Sequence, residues 1–321
     1  MNEMNSFRFD NPLPHRTIFV MMRFVDSPEH KSVLTTIRSA VEYYGFKALR
    51  ADDRSYSPDL WENVRCYMDG CGLGTAIFDQ VADQTAPAVF NPNVSLELGY
   101  MLGQGKKCLL LKDKRLPVLP TDLSGKLYRE FDFEAIEQTI HDRVRDWMNA
   151  LAVLASDDER LLVFVSQAGI DRCAMAKVIL KWLTRPQGGH KLPCKLRIES
   201  AGKGYVYAST ASKSAKAAIK DVCQEDLLSD HKCQPLSGYL KDRASLILVM
   251  TDNLKRDLPQ SKTFTLKEFF GMQGNIADPA PDRGDPESLK RFKKTANELK
   301  DILADPDHLM KLDEYLEQSK A

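Results

Sequence analysis

The sequence predicts an α/β protein of two domains, each built on a parallel sheet flanked by helices. At 321 residues the chain exceeds the length that one hydrophobic core usually serves. Short apolar segments alternate with amphipathic helical patterns, which is typical of right-handed crossovers and parallel sheets. A polar break, ASDDER, separates two such series. We therefore place the domains at residues 1–155 and 156–321.

Four apolar strands and the helices between them define the first domain. The strands are TIFVMMRF, FKALR, TAIFD and KKCLLL. Helices are predicted to begin at Ser27-Pro28, Ser57-Pro58 and Asn93, because Ser or Asn as N-cap and Pro at the first helical position favour a helix start. A closing helix covers residues 134–151, with its apolar residues at helical spacing.

The second domain repeats the alternation of strands and helices. Its strands are LLVFV, KLRIES and SLILVM. Helices are predicted over 172–183, over ASKSAKAAIKDV, near 286–303 and over 307–318. A second series with its own apolar segments indicates a second hydrophobic core.

Composition restricts the classes of partner. Hydrophobic residues make up 43% and charged residues 28%, as in soluble globular proteins. Lys+Arg 45 equals Asp+Glu 45, so the charge favours neither a nucleic acid nor a membrane surface. We expect no membrane span, and the stretch MNEMNSFRFDNPLPHR has no secretion-signal pattern. Seven cysteines without a C-x-x-C pair predict a cytoplasmic protein without disulfides or bound metal.

Polar residues at strand ends mark a candidate site in the first domain. Ligands of parallel sheets bind beyond the carboxyl ends of the strands. The residues predicted there are Arg23, Asp52, Asp53, Asp79 and Asn93.

Glu97 is the main candidate for chemistry in this domain. With Asn93 as N-cap it lies near the end of the first turn, on one face with Val94 and Met101. Burial would raise the pKa of this carboxyl, and the helix N-terminus would lower it. Glu97 is either a structural residue bonded to backbone amides or a catalytic carboxylate.

The segments IFVMMRF, RADD, AIFD and NPNVSLELGYMLGQGKKCLLLKD resemble two related groups of proteins. These are the bacterial Toll/interleukin-receptor-like (TIR-like) proteins and the nucleoside deoxyribosyltransferase-like domains, over roughly residues 17–133. The resemblance implies a flavodoxin-like fold and cleavage or transfer at N-glycosidic bonds of nucleosides or NAD. It makes Glu97 catalytic and places Asp52, Asp53 and Asp79 against the sugar. Many relatives only bind nucleotides, so binding without turnover stays open.

The stretch VFVSQAGIDRCAMA is the candidate site of the second domain. A loop of backbone amides that leads into a helix N-terminus can hold an anion, and Arg172 would add a bidentate guanidinium. The loop residues predicted to bind phosphate are Ser166, Gln167, Ala168, Gly169, Ile170, Asp171 and Arg172. The alternative is an ordinary strand-to-helix turn with an exposed arginine.

Five later segments occur in an order that resembles another family. They are ESAGKGYVYASTASKSAKAAI, LLSDHKCQPL, SLILVMTDNL, KTFTLKEFF and NIADPAPD. The similarity is to the low-molecular-weight protein tyrosine phosphatases and the arsenate reductases of that fold, over residues 161 to about 303. It implies that Arg172 binds phosphate and that Asp278, before Pro279, is the general acid. The position of the family's nucleophilic cysteine holds Ser166, and the Ser-Pro that follows the family's arginine is Cys173-Ala174 here.

A serine hydroxyl without an adjacent base is a weak nucleophile, so we expect this domain to bind phosphate better than it hydrolyses phosphate esters. Two origins stay open: Ser166 replaces a natural cysteine, or the gene encodes serine and the domain is a pseudophosphatase.

The main functional hypothesis is a hydrolase, an N-glycohydrolase of NAD or a nucleotide fused to this phosphate-binding domain. By analogy it would suit an antiviral defence or stress effector. Alternatives are a tyrosine phosphatase with a nucleotide-sensing domain, and a non-enzymatic binding module. Expected partners are a nucleotide, as substrate or ligand with no further cofactor required, and a phosphorylated protein or other phosphate ligand. A homo-oligomer is compatible with the sequence.

Overall fold

A computed structural model of the protein describes residues 3–80, 91–117, 119, 128–185 and 195–319. Contacts divide the chain into two compact units, Met1–Leu154 and Ala155–Ala321. Each unit contains one parallel sheet flanked by helices, which confirms the predicted α/β fold class.

The first unit has five strands and five helices among its described residues. The strands are β1 (Thr17–Met21), β2 (Lys47–Leu49), β3 (Leu73–Phe78), β4 (Lys107–Asp113) and β5 (Arg129–Phe131). The helices are α1 (Glu3–Asp10), α2 (Pro28–Tyr43), α3 (Leu60–Gly70), α4 (Pro92–Gly103) and α5 (Ile136–Ala150). The strand order is β2-β1-β3-β4-β5, which is the flavodoxin-like order.

Alternating residues of β1 pack into the two layers that cover this sheet. Ile18 and Val20 belong to a buried cluster with residues of α2 and α5. Phe19 and Met21 belong to the opposite cluster, with residues of α3 and α4. Because successive strand side chains point to opposite faces, one wholly buried strand supplies both cores.

Two predicted helix starts in this unit were wrong by a few residues. Helix α3 is capped by the Asp59 side chain, which accepts from the Glu62 amide, and not by Ser57. Helix α4 is capped by Asn91, whose Oδ1 accepts from the amide of Asn93 at 3.0 Å. Asn93 is therefore inside the helix, because the chain turns at Asn91 and places Pro92 at the first helical position.

The second unit has a four-stranded sheet. Its strands are β6 (Arg160–Ser166), β7 (Leu196–Gly202), β8 (Leu246–Val249) and β9 (Thr263–Thr265). Its helices are α6 (Arg172–Leu183), α7 (Lys213–Cys223), α8 (Gly238–Arg243), α9 (Leu266–Phe269), α10 (Pro286–Ala304) and α11 (Pro306–Gln318). The parallel order β7-β6-β8-β9 makes β6 a central strand, and its carboxyl end delivers Ser166.

Three further observations concern the described residues alone. No helix among them is long and apolar enough to cross a membrane. All six cysteines within them are free thiols. No group of His, Cys, Asp and Glu side chains in this part of the chain is arranged to hold a metal ion.

Candidate functional site

Arg23 and Asp79 meet at the carboxyl ends of β1 and β3. The Arg23 Nε lies 3.0 Å from both carboxylate oxygens of Asp79, which is only 4% exposed. Strand β1 is paired with β2 on one side and β3 on the other, so this is the point where the strand order reverses. The structure therefore brings two predicted site residues together, and it pairs them with each other.

His30 completes this cluster and was missed from the sequence. Its Nε2 lies 2.7 Å from Asp79 Oδ2, and its Nδ1 lies 2.8 Å from Ser27 Oγ. The available signal was its spacing, because His30 precedes Val33 by three residues and Ile37 by seven. Those positions share the buried face of α2.

Asp52 and Asp53 are exposed and serve the turn after β2. Asp52 Oδ1 accepts from Arg50 Nε at 2.6 Å. Asp53 accepts from the backbone amide of Arg50 at 2.9 Å and pairs with Arg38. The structure thus shows these carboxylates engaged with their own turn and with α2. Their predicted contact with a sugar stays a prediction.

Glu97 is a half-buried residue on α4. Burial raises the pKa of Glu97 to about 7. Within the described residues its carboxylate has no hydrogen-bond or ion-pair partner. Since α4 begins at Pro92, Glu97 lies beyond the first turn, where the helix dipole no longer lowers a pKa strongly. The carboxyl can therefore gain or lose a proton near neutral pH, as general acids and bases do.

In the second unit, the loop between β6 and α6 surrounds the Ser166 hydroxyl. Ser166 is 3% exposed. Its Oγ accepts from the Gly169 amide at 3.2 Å and donates to Cys173 Sγ at 3.1 Å. The predicted loop therefore curves back on its first residue.

Backbone contacts with the end of β7 hold this loop in place. The amides of Lys203 and Gly204 donate to the carbonyls of Ser166 and Gln167, at 3.1 and 2.8 Å. Gly169 has φ +69°, and a Cβ at this position would lie 2.3 Å from the backbone nitrogen of Gly202. Only glycine satisfies both the left-handed conformation and the close approach.

Arg172 begins α6 and is held by two partners. Its Nη1 donates to the carbonyl of Ile276 at 3.0 Å, and its Nη2 donates to Asp278 Oδ2 at 2.7 Å. Arg172 is 6% exposed and the Asp278 side chain is 56% exposed. The fold thus joins two residues predicted to share one site, although more than a hundred residues separate them.

Burial acts on the pKa of two further groups of this loop. Complete burial raises the pKa of the Cys173 thiol, which favours the neutral and less nucleophilic form. Burial also raises the pKa of Asp171, whose Oδ1 accepts from the Ser212 amide at 3.0 Å. Asp171 therefore connects the loop to the start of α7.

The strand, loop and helix-start arginine define the class of the second unit. The sequence profile of the low molecular weight phosphotyrosine protein phosphatases matches residues 161–317. This unit is a low-molecular-weight phosphotyrosine phosphatase-like domain, as the sequence predicted.

Similar proteins include two kinds of phosphatase. A protein-arginine-phosphatase of Bacillus subtilis (strain 168) is 28% identical over 149 residues, which are 44% of this chain and 91% of that protein. A low molecular weight protein tyrosine phosphatase from T. tengcongensis is 30% identical, covers 48% of this chain and 99% of its own, and has a TM-score of 0.40. A YwlE arginine phosphatase mutant with a phosphorylated active site serine is 26% identical over 50% of this chain and 97% of its own, with a TM-score of 0.39.

Proposed function

We propose that the second unit is a phosphatase-type domain that binds the phosphoryl group of a phosphorylated protein in the loop from Ser166 to Arg172. The observation that carries this proposal is the contact between the Arg172 guanidinium and the Asp278 carboxylate at the carboxyl end of the central strand. An always-charged, planar donor and a carboxyl are the groups that phosphate-ester cleavage needs for binding and for proton transfer.

The substrate class follows from the relatives. Their names specify phosphotyrosine and protein arginine phosphate as substrates. Both are phosphorylated protein side chains, so we propose a phosphoprotein as partner. Binding measurements with a phosphotyrosine peptide and a phosphoarginine peptide would distinguish the two side chains.

Ser166 limits this domain to binding. The described neighbours of its Oγ are the Gly169 amide and the neutral Cys173 thiol. Neither group removes a proton from a hydroxyl, so Ser166 lacks the base that activates a serine nucleophile. We therefore propose that phosphate is held far better than a phosphate ester is hydrolysed.

The residue types at two positions around the loop support the comparison with the phosphatase site of the family. Family members are expected to have cysteine before the loop and serine after the arginine, whereas this chain has Ser166 and Cys173. The Oγ and Sγ of these two residues are in contact at 3.1 Å. One hydroxyl and one thiol are therefore still paired, with their positions exchanged.

Orthophosphate is expected to raise the melting temperature of the second unit, and Arg172→Ala should abolish most of this effect. Loss of the buried guanidinium should weaken phosphate binding at least about tenfold, since hydrogen bonds to charged groups contribute about 1.5–3 kcal/mol and about 1.4 kcal/mol is a factor of ten in affinity. Calorimetric titration and thermal unfolding of the full chain measure both quantities.

The matched control is Arg256→Ala, because the side chain of Arg256 is 86% exposed. It should bind phosphate like the unchanged protein. Equal affinity in Arg172→Ala, or no phosphate binding by the folded unchanged chain, would contradict the proposal.

For the first unit we propose binding of a nucleotide or NAD at the β1–β3 end of the sheet, with Glu97 attacking or stabilising the anomeric carbon. The supporting observation is a half-buried carboxyl without a partner among the described residues, with its pKa raised to about 7 by partial burial. Glycosidic-bond chemistry uses carboxylates in these roles.

This second proposal predicts release of a free base from NAD or a nucleotide panel, followed by chromatography, and its loss in Glu97→Ala. A folded protein that releases no base would contradict glycosidic cleavage. In that case, a nucleotide that raises the melting temperature would favour the non-enzymatic binding module.

A further inference from the structure

We propose that Asp278 is an internal ligand of Arg172, which an incoming oxyanion must displace before the arginine can bind it with two hydrogen bonds. This inference rests on the proposed role of Arg172 in phosphate binding. It adds a competing carboxylate to that site and predicts how the site changes when it is filled.

The arrangement of the guanidinium hydrogens carries the inference. A guanidinium binds an oxyanion with two parallel hydrogen bonds, either side-on through Nε and Nη2 or end-on through Nη1 and Nη2. Nη2 belongs to both pairs, and it already donates to Asp278 Oδ2 at 2.7 Å. Nη1 already donates to the Ile276 carbonyl at 3.0 Å. Each terminal nitrogen carries two hydrogens, so a bidentate oxyanion would take either the Nη2 hydrogen that Asp278 uses or the one beside it. In both orientations the oxyanion would lie against the Asp278 carboxylate.

Asp278 is the partner that can leave. The Ile276 carbonyl is a backbone group of a buried residue, and the amide of Ile276 is itself bonded to the Met250 carbonyl at 2.9 Å. The Asp278 side chain is instead 56% exposed, and water can solvate its carboxylate after release. A change of its side-chain rotamer frees Nη2 while the anchor at Ile276 stays in place.

Charge repulsion prevents the two anions from sharing the arginine. An ionised Asp278 next to a bound dianion would place three negative charges around one guanidinium. Asp171, in the same loop, is a further carboxyl whose charge acts on this region. Like charges at contact distance disfavour one another strongly in a partly buried site. Asp278 thus neutralises Arg172 within the protein, and binding of an oxyanion exchanges one anion for the other.

Asp278→Asn is expected to bind sulfate about tenfold more tightly than the unchanged chain at about pH 8, by calorimetric titration. Sulfate is the probe because its charge is constant around this pH. The matched control is Asp257→Asn, which removes one exposed negative charge of the same unit at a position with φ +60°, where asparagine is tolerated. It should leave the affinity unchanged.

Hydrogen exchange of the full chain provides the readout that distinguishes displacement from a general charge effect. Asp278 Oδ1 accepts from the Ala280 amide at 3.1 Å, so release of the side chain should speed exchange of that amide. Saturating sulfate should accelerate exchange at Ala280 in the unchanged protein and leave it unaltered in Asp278→Asn.

Three outcomes separate the possibilities. Tighter sulfate binding by Asp278→Asn alone, with faster exchange at Ala280, supports the displacement. Sulfate binding that needs Arg172 but is equal in the unchanged protein and Asp278→Asn overturns the displacement and leaves the proposed function intact. Sulfate binding that survives in Arg172→Ala overturns both.

Discussion

Exchanging the two contacting loop residues, by Ser166→Cys together with Cys173→Ser, is expected to raise hydrolysis of an aryl phosphate at least about a thousandfold. The change places a thiol at the end of β6, where the Gly169 amide donates to the side chain at 3.2 Å. The hydroxyl introduced at position 173 donates a second hydrogen bond. Both donors, with Arg172 nearby, favour the thiolate that the reaction needs.

The expected reaction has two steps. The thiolate attacks phosphorus, a sulfur–phosphorus bond forms, and the bond from phosphorus to the aryl oxygen breaks while protonated Asp278 gives that oxygen its proton. Water then attacks the phosphorus, Asp278 accepts the proton of the water, and phosphate leaves as the thiolate is restored. Adding Asp278→Asn to the exchanged protein should slow the first step at least about a hundredfold.

The single variant Ser166→Cys is the informative control. It leaves two thiols at contact distance and no hydroxyl to stabilise the thiolate, since the present atoms are 3.1 Å apart. Its activity should be lower than that of the exchanged protein and should depend on added dithiothreitol. An exchanged protein that binds phosphate with unchanged affinity yet hydrolyses nothing would disprove the proposed nucleophile position.

Glu97→Gln is expected to stabilise the first unit by about 2–3 kcal/mol at about pH 8 and to have little effect at about pH 4. Burial raises the pKa of Glu97 from its ordinary 4.5 to about 7. The folded protein therefore holds this proton more tightly than the unfolded chain. Stability from this group is full below about pH 4.5 and decreases as the pH rises to about 7, because a buried carboxylate must then be ionised.

Calorimetric unfolding of the full chain across this pH range measures the effect, through the transition of the first unit. The control is Glu42→Gln on α2, an exposed glutamate of the same unit that should change the stability by less than about 0.5 kcal/mol. A Glu97→Gln protein that matches the unchanged chain at about pH 8 would show that Glu97 is solvated. A gain in stability with loss of base release would instead identify Glu97 as a residue kept for function at a cost in stability.

Local sequence patterns were enough to predict the helix that follows the phosphate-binding loop and the approximate boundary between the two units. Helix α6 begins at Arg172 and ends at Leu183, as predicted, because its apolar spacing and the strand before it are unambiguous. The family resemblance also assigned Arg172 and Asp278 to one site, and in the structure Arg172 Nη2 lies 2.7 Å from Asp278 Oδ2. The predicted division between residues 155 and 156 lies one residue from the observed division between the units.

Features that depend on tertiary packing were not predictable. Short elements such as β5 and β9 have three residues each and carry too little pattern to be recognised. Asp79 is paired with Arg23 and His30, a contact that only the juxtaposition of β1, α2 and β3 creates. The start of α4 depended on which of two asparagines would cap it, and helix boundaries are the least reliable part of such predictions.

The close approach of Gly169 to Gly202 means that backbone atoms, and not side chains, set the curvature of the loop. The backbone of Gly169 packs directly against the backbone of Gly202, and two hydrogen bonds from amides after β7 to loop carbonyls hold the loop beside that strand. These contacts are made by backbone atoms and not by the side chains of the exposed Gln167 and the half-buried Ala168, so the direction of the loop amides does not depend on the side chains at those two positions. Divergence or design can therefore alter which phosphorylated side chain the loop accepts while the anion cradle itself is inherited unchanged.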